Sequence, residues 1–201
     1  MTLRRGISAL SILLVGCMPQ TLRFYQPIGA GESIRQGCGV PADVMQFALD
    51  EHGSQLRVSV SHPEDERRFL EPGARKPGLS YQFLVAPRSR IRISEAKFVL
   101  LSPDGDKIAE YQFKSLSGYH NLPSGTGTYR LTPASEELVA KSDSATEKWA
   151  DQYIVSMTLS SAPERFQIHY PDMVINGQYR IGPTVEYVTS EGLFLRRRCF
   201  F

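Results

Sequence analysis

The feature that most constrains the fold is a two-residue alternation of apolar and polar side chains that recurs along the chain. In residues 55–61 (QLRVSVS), Leu56, Val58 and Val60 fall on one face and polar side chains on the other. A half-buried strand requires this period of two, whereas a helix repeats every 3.6 residues. The same alternation appears in SYQFLVA with Tyr81, Phe83 and Val85, in YIVSMTL with Tyr153, Val155, Met157 and Leu159, and in RFQIHY with Phe166, Ile168 and Tyr170. The sequence therefore predicts a protein built mainly of strands.

Turn signals predict that neighbouring strands pair as hairpins. Residues 102–106 (SPDGD) lie between FVLL and KIAEYQF, and there proline fixes φ while Asp-Gly supplies a tight reversal. Asn176 and Gly177 separate MVI from QYRI. This dipeptide tolerates positive φ at both turn positions, so a second hairpin is expected there.

Two segments allow more than one interpretation. Residues 41–53 (PADVMQFALDEHG) suit a helix that opens at proline and stops at glycine, or a strand in which Met45, Phe47 and Leu49 alternate. We favour the strand, because it would form a hairpin with the strand that follows. Residues 133–151 are charged and alanine-rich, which predicts one short helix or a mobile excursion between strands.

Eight to ten short strands separated by turns predict an antiparallel β-sandwich of immunoglobulin-like shape, with at most one or two short helices. A barrel is the alternative. The composition, with 41% hydrophobic and 22% charged residues, is that of an ordinary globular protein. We expect the sandwich to be a single domain over residues 38–201.

The N-terminus has the layout of a secretory signal. Arg4 and Arg5 precede an apolar stretch over residues 6–16, which is too short to span a bilayer. Leu14-Val15-Gly16-Cys17 resembles the lipobox of bacterial lipoproteins. The other interpretation is a buried element of a cytosolic domain in which Cys17 is a core thiol.

The resemblance implies that residues 1–16 form a signal peptide and that Cys17 becomes the lipidated first residue of the mature chain. Two or three acyl chains, such as palmitate, would anchor the protein without a spanning segment. Met18 is not the aspartate associated with retention in the inner membrane, which implies the periplasmic side of the outer membrane in a two-membrane bacterium. Residues 17–37, which mix proline, glycine and polar residues, are expected to be a lipidated tether.

With Cys17 lipidated, Cys38 and Cys199 remain. In the periplasm, where disulfides persist, a bond between them would join the two ends of the domain. Two unpaired buried thiols or an intermolecular bridge are the alternatives. Neither cysteine has a CxxC partner or a nearby histidine to lower its pKa, so a catalytic role is not expected.

The charge balance gives no reason to expect a nucleic-acid partner. Removing residues 1–16 also removes Arg4 and Arg5, which leaves 21 basic and 21 acidic residues. Binding to phosphates would need a cationic surplus.

No pattern of catalytic or cofactor-binding residues is present. His52, His62, His120 and His169 are scattered without zinc-ligand spacing, and each is expected to be a polar surface residue. Three further segments are interpreted as turns or solvated loops: Asp104-Gly105-Asp106, which lacks the rest of a calcium loop; Gly125-Thr126-Gly127, which precedes a strand and not a helix; and Glu64-Asp65-Glu66 beside Arg67 and Arg68. We therefore expect no metal, no cofactor and no enzymatic activity.

Exposed aromatic residues beside arginine could form a recognition surface. The candidates are residues 68–78 and the set Tyr111, Tyr119, Trp149, Tyr153 and Tyr170, although filling the sandwich core is the more common use of such residues. The tail at residues 196–201 is cationic and then apolar, which allows a weaker contact with a membrane surface.

These observations predict a lipid-anchored periplasmic protein that acts as a non-catalytic binding or structural module, with an envelope protein as its partner. Two alternatives stay open. One is an envelope hydrolase whose base, His120 or His169, meets its partners only in the folded protein. The other is a carbohydrate-binding module with exposed aromatic rings along one face.

Overall fold

The computed structural model of the protein describes residues 19–35, 42–63, 76–122, 125–132, 135–140 and 151–195. These residues form sixteen strands and no helix. In chain order the strands are β1 (Pro19–Ile28), β2 (Glu32–Arg35), β3 (Ala42–Ala48), β4 (Gln55–Ser61), β5 (Gly78–Val85), β6 (Arg90–Ile93), β7 (Lys97–Leu101), β8 (Lys107–Gln112), β9 (Leu116–Leu122), β10 (Gly125–Leu131), β11 (Leu138–Val139), β12 (Asp151–Thr158), β13 (Arg165–His169), β14 (Met173–Ile175), β15 (Gln178–Arg180) and β16 (Thr184–Leu195). The prediction of a mainly β protein is confirmed.

The strands form three sheets in which every described pairing is antiparallel. A five-stranded sheet has the order β1-β16-β13-β7-β8, and a seven-stranded sheet has the order β10-β9-β12-β5-β4-β3-β2. A four-stranded sheet of short strands has the order β11-β6-β14-β15. The predicted antiparallel architecture is confirmed, and the arrangement is consistent with a β-sandwich.

Aromatic side chains join the five-stranded and seven-stranded sheets across a shared core. The ring of Tyr81 on β5 lies 5.2 Å from that of Phe98 on β7 and 5.5 Å from that of Tyr170, which follows β13. The hydroxyls of Tyr170 and Tyr187 form a buried hydrogen bond of 2.7 Å. Burial raises the pKa of Tyr81, Tyr170 and Tyr187, because the phenolate form would lose its hydration.

The alternating segments form the strands that the sequence predicts. On β4, Leu56, Val58 and Val60 are buried while the intervening residues are partly exposed, and β5 repeats the pattern. The ambiguous segment 41–53 contributes strand β3, which forms a hairpin with β4 in which Phe47 lies opposite Leu56. The strand interpretation of this segment is therefore confirmed.

The interpretation of residues 17–37 as a tether is wrong where the structure describes them. Strand β1 pairs with β16 along its whole length, from Pro19 opposite Leu195 to Ile28 opposite Glu186. Its Tyr25 is 2% exposed and packs edge-on against Phe166. This segment carries apolar residues that the core uses, although its prolines and glycines resemble those of a linker.

The helix suggested for residues 133–151 is also absent from the part of that segment that the structure describes. Residues 135–137 form a turn region, Leu138 and Val139 form β11, and Asp151 already begins β12. The hydroxyl of Tyr153 donates a hydrogen bond to the carbonyl of Val139, which attaches this short strand to the seven-stranded sheet. Residues 141–150 lie outside the described chain.

Candidate binding surface

The hairpin formed by β14 and β15 presents one strand to solvent. Its turn residues, Asn176 and Gly177, have φ values of 51° and 83°, as the dipeptide predicted. On β14, Met173 and Ile175 are buried, whereas all three residues of β15 are exposed. The first strand of the hairpin therefore anchors the second at the edge of the four-stranded sheet.

A hydrogen-bond network holds the tip of this hairpin against the turn between β3 and β4. Asp50 accepts backbone N–H bonds from His52 and Ser54, both 3.0 Å long, and its other oxygen accepts a bond of 3.3 Å from the Asn176 side chain. Asn176 in turn accepts a bond of 2.8 Å from the backbone N–H of Arg90. Burial opposes ionisation of Asp50, but the bonds it accepts from Ser89, Ser54 and Asn176 outweigh burial and lower its pKa.

Asp172 holds the opposite end of the hairpin. One carboxylate oxygen accepts a 2.7 Å bond from the backbone N–H of Gly182, and the other accepts a bond from the hydroxyl of Tyr179. These two bonds lower the pKa of Asp172. Gly182 lies so close to the carbonyl of Tyr170 that a Cβ atom would come within 1.9 Å of that oxygen, so only glycine fits there.

A cavity of about 380 Å³ lies between this hairpin and the β3–β4 hairpin. Its apolar wall includes Phe47, Leu49, Leu56 and Met173, and its other lining residues are Ala48, Asp50, Arg180, Ile181 and Pro183. Ile181 is 75% exposed and Tyr179 on the adjoining strand is 60% exposed, the two highest exposures among the large apolar side chains described.

The surface around this cavity combines three properties that suit contact with another chain. It has exposed apolar side chains, a strand edge and the guanidinium of Arg180. Within the described chain, the Arg180 guanidinium donates one hydrogen bond, of 3.2 Å to the side-chain oxygen of Gln178, and forms no ion pair. Such a surface can receive an apolar side chain, extend the sheet by one strand and pair with a carboxylate.

The four histidines differ in solvent exposure, and the burial of one of them contradicts its prediction. His52 is exposed, and His120 and His169 are partly exposed. His62 is 7% exposed and its ring lies 5.0 Å from that of Tyr25, so its prediction as a surface residue is wrong. The described residues contain no group of three or more His, Cys, Asp or Glu side chains that could hold a metal ion.

Polar groups lie near both ring nitrogens of His169. Its Nδ1 lies 3.0 Å from the Thr184 hydroxyl and its Nε2 lies 3.8 Å from a carboxylate oxygen of Asp172. That carboxylate already accepts bonds from Gly182 and Tyr179, and neither His169 nor Thr184 lines the cavity described above. The group therefore has a structural explanation, because it fixes the hairpin to β13 and β16.

The aromatic candidates separate into core and surface residues. Tyr153 and Tyr170 are fully buried, which confirms the core interpretation for these two. The hydroxyl of Tyr111 lies 2.7 Å from that of Ser160, and Tyr119 is 38% exposed. Trp149 and residues 64–75 lie outside the described chain.

The glycine-containing segments occupy turns or strands. At residues 102–106 the φ of Gly105 is 92° and the backbone N–H of Ser102 donates a 2.8 Å bond to the carbonyl of Asp106 at the β7–β8 turn, so the hairpin prediction is confirmed. Gly125, Thr126 and Gly127 lie within β10, where they pair with β9. Their interpretation as a turn is therefore wrong.

The cysteine predictions concern residues that the structure does not describe. Cys17, Cys38 and Cys199 all lie outside the described chain, as do the signal segment and residues 196–201. The lipidation and disulfide hypotheses therefore stay predictions.

Comparison with known proteins finds no matching family model, curated protein or solved structure. The described segments contain no helix long and apolar enough to cross a membrane.

The sequence predicts the β14–β15 turn but not the surface beside it. The signal was present, since Tyr179 and Ile181 are two positions apart and so share a face of an extended chain. What the alternation does not reveal is that no described element covers this face.

Proposed function

We propose that this protein is a non-catalytic, lipid-anchored binding module on the periplasmic side of the outer membrane, and that its partner is an envelope protein. The observation that carries the proposal is the pair of exposed apolar side chains, Tyr179 and Ile181, beside an open strand edge and a cavity. Neighbouring exposed apolar side chains beside a strand edge are typical of a surface that contacts another chain, whereas a single one such as Ile108 is common on any protein surface.

The chemistry of the surface defines the partner segment. An extended chain would add a strand alongside β15, insert one apolar side chain into the cavity beside Phe47 and Leu49, and place a carboxylate against Arg180. Backbone hydrogen bonds would supply affinity, and the cavity and the arginine would supply specificity.

The anchor in this proposal is a lipid on Cys17. Because β1 begins at Pro19, only two residue steps separate Cys17 from the sheet, a reach of at most about 7 Å. The sandwich would then lie directly against the membrane surface. We also propose that the sandwich is immunoglobulin-like and that a disulfide joins Cys38 to Cys199, which the facing antiparallel sheets and the oxidising compartment favour.

Photo-cross-linking in intact envelopes tests the binding surface. A photoreactive amino acid at Ile181 is expected to yield one discrete adduct with a protein. The matched control is the same amino acid at Ile108, which is 47% exposed on β8 of the five-stranded sheet. Adding Arg180→Glu should abolish the Ile181 adduct. Equal adducts from both positions, no adduct, or an adduct indifferent to Arg180→Glu would overturn the proposal.

Mass spectrometry of the membrane-fraction protein tests the anchor separately. A diacylated or triacylated Cys17 at the N-terminus and a non-reduced peptide containing Cys38 and Cys199 are expected. An intact Met1 would overturn the lipid proposal, and two free thiols would overturn the disulfide.

A further inference from the structure

A second cavity, of about 410 Å³, lies at the other end of the seven-stranded sheet. It is bounded by the connection between β8 and β9 and by residues of β9, β10 and β12. Its polar lining residues include Lys114, Ser115, Ser117, Tyr119, Arg130 and Ser156. We call this cavity the β9–β12 cleft. It shares no lining residue with the cavity beside the β14–β15 hairpin.

Local structure explains why both cations of the cleft point outward. Phe113 is 7% exposed, stacks on Phe98 at 5.0 Å and donates its backbone N–H to Ala96, so the connection is fixed in the core just before Lys114. On β10, Leu131 is buried opposite the buried Leu116, which turns its neighbour Arg130 to the opposite face. Both Lys114 and Arg130 are exposed.

Among the described residues, no acidic side chain neutralises these two cations. Neither Lys114 nor Arg130 forms an ion pair or a hydrogen bond among the described residues, and no described lining residue of the cleft is acidic. Like charges at one cavity repel each other, and binding an anion relieves that repulsion. An arginine can also bind a carboxylate or a phosphate with two hydrogen bonds.

The rest of the cleft suits a hydroxylated ring. Ser117 lies opposite Arg130 on β10 and opposite Ile154 on β12, and Tyr119 lies opposite Gln152. Three serine hydroxyls can exchange hydrogen bonds with ligand hydroxyls, and the exposed face of Tyr119 can pack against the apolar face of a sugar ring. The volume lies within the usual range for small-molecule sites, roughly 300–1,000 Å³.

We propose that the β9–β12 cleft binds an anionic sugar, that is, a pyranose carrying a carboxylate or a phosphate. Arg130 and Lys114 bind the anionic group, the serines bind the hydroxyls and Tyr119 packs against the ring. This site goes beyond the proposed protein-binding surface, and its failure would leave that surface untouched.

Calorimetric titration of the purified full chain tests the site, with a polyoxyethylene detergent so that no glycoside competes. The probes are glucuronate, glucose 6-phosphate, neutral glucose and inorganic phosphate. Glucuronate or glucose 6-phosphate should bind. The one that binds with the higher affinity shows whether the cleft prefers a carboxylate or a phosphate. Glucose and inorganic phosphate should each bind at least about tenfold more weakly, because each lacks one of the two contacts.

Variants at three residues of the cleft, with a control outside it, assign the contacts. Arg130→Gln and Lys114→Gln should each weaken binding of the anionic sugar, by about tenfold for the arginine. Tyr119→Ala should weaken it and Tyr119→Phe should not, because the ring is retained. Arg92→Gln removes an exposed cation from the four-stranded sheet and should change nothing. Thermal melting verifies that each variant is folded.

Several outcomes would overturn the proposal. Equal binding of glucose would show that the cations are not used, and equal binding of inorganic phosphate with no effect of Tyr119→Ala would show a simple anion site. No binding of any probe, or equal losses in Arg92→Gln and Arg130→Gln, would show that the cleft is not a sugar site.

Discussion

The seven-stranded sheet buries apolar side chains, whereas the β14–β15 hairpin exposes two of them to solvent. On β4 and β5, side chains such as Val58 and Phe83 are at most 1% exposed beneath an outer face that is mainly glutamine, serine and arginine. On the hairpin, Tyr179 and Ile181 are 60% and 75% exposed. Burial of the first set removes apolar surface from water and so stabilises the fold, whereas the second set stays in contact with water.

The difference separates residues that maintain the fold from residues available for contact. A substitution inside the seven-stranded sheet should reduce the free energy of unfolding, and one at Ile181 should change binding alone. The two classes can therefore be distinguished by measuring stability and cross-linking on the same variants.

The largest effect is expected inside the seven-stranded sheet. Phe83→Ala should lower the free energy of unfolding by about 3–5 kcal/mol, because it removes a fully buried ring and leaves a cavity. The matched control is Leu84→Ala, one position along and on the outer face, which should cost less than about 1.5 kcal/mol. Urea denaturation measures both. Equal losses would contradict the distinction between the two faces.

Alkaline pH should destabilise the core through its buried tyrosines. Tyr81, Tyr170 and Tyr187 have a pKa raised above the ordinary value of 10.0, so above pH 10 the unfolded chain releases protons that the folded chain retains. The contribution of these tyrosines to the free energy of unfolding is fully present below pH 10. It decreases as the pH rises above that value, by up to about 1.4 kcal/mol per pH unit for each tyrosine. Chemical denaturation between pH 9 and 12 measures the slope.

Tyr187→Phe tests the source of that slope. This variant should be less stable near neutral pH, because it leaves the Tyr170 hydroxyl without its partner, and it should show a shallower alkaline slope. An unchanged slope would mean that other groups cause the alkaline loss.

A smaller effect is expected at the hairpin tip. Asn176→Ala should lower the free energy of unfolding by about 1–3 kcal/mol, because it removes the side-chain bonds to Asp50 and Arg90 and places alanine at positive φ. Asn176→Gly tolerates that φ and loses only the bonds, so it should fall between the native protein and Asn176→Ala. Thermal denaturation distinguishes them, and identical values for the two variants would exclude a backbone contribution.

The smallest effect on stability is expected at the exposed end of the hairpin. Ile181→Asp should change the free energy of unfolding by no more than about 0.5 kcal/mol, because the side chain is already in water. Cross-linking from the adjacent exposed Tyr179 should nevertheless be lost. Ile175→Asp, on the buried strand of the same hairpin, should unfold the protein. A large loss of stability in Ile181→Asp would show that this side chain belongs to the fold.

The fold was more predictable than the surfaces. The alternation around Val58, Phe83 and Ile168 reports a local period, so the strands could be identified one at a time. Strand β1 could not be identified in this way, because the consecutive residues 24 and 25 are both buried and break the two-residue alternation. The buried position of His62 also depends on that strand, since its ring packs beside Tyr25.

The candidate surfaces depend still more on tertiary structure. Lys114 and Arg130 are sixteen positions apart and meet at one cleft only because β9 and β10 form a hairpin beside β12. Asp50 and Asn176 are separated by 126 positions and meet because two hairpin turns pack together.

The sequence by itself determined the strand periods and the tight turns, because backbone sterics and the two-residue repeat act between neighbouring residues. The tertiary structure alone decided which strands pair beyond these hairpins, which faces are covered and which side chains meet at the two cavities. These outcomes depend on competition among distant apolar segments for the same core, and no local pattern records the result of that competition.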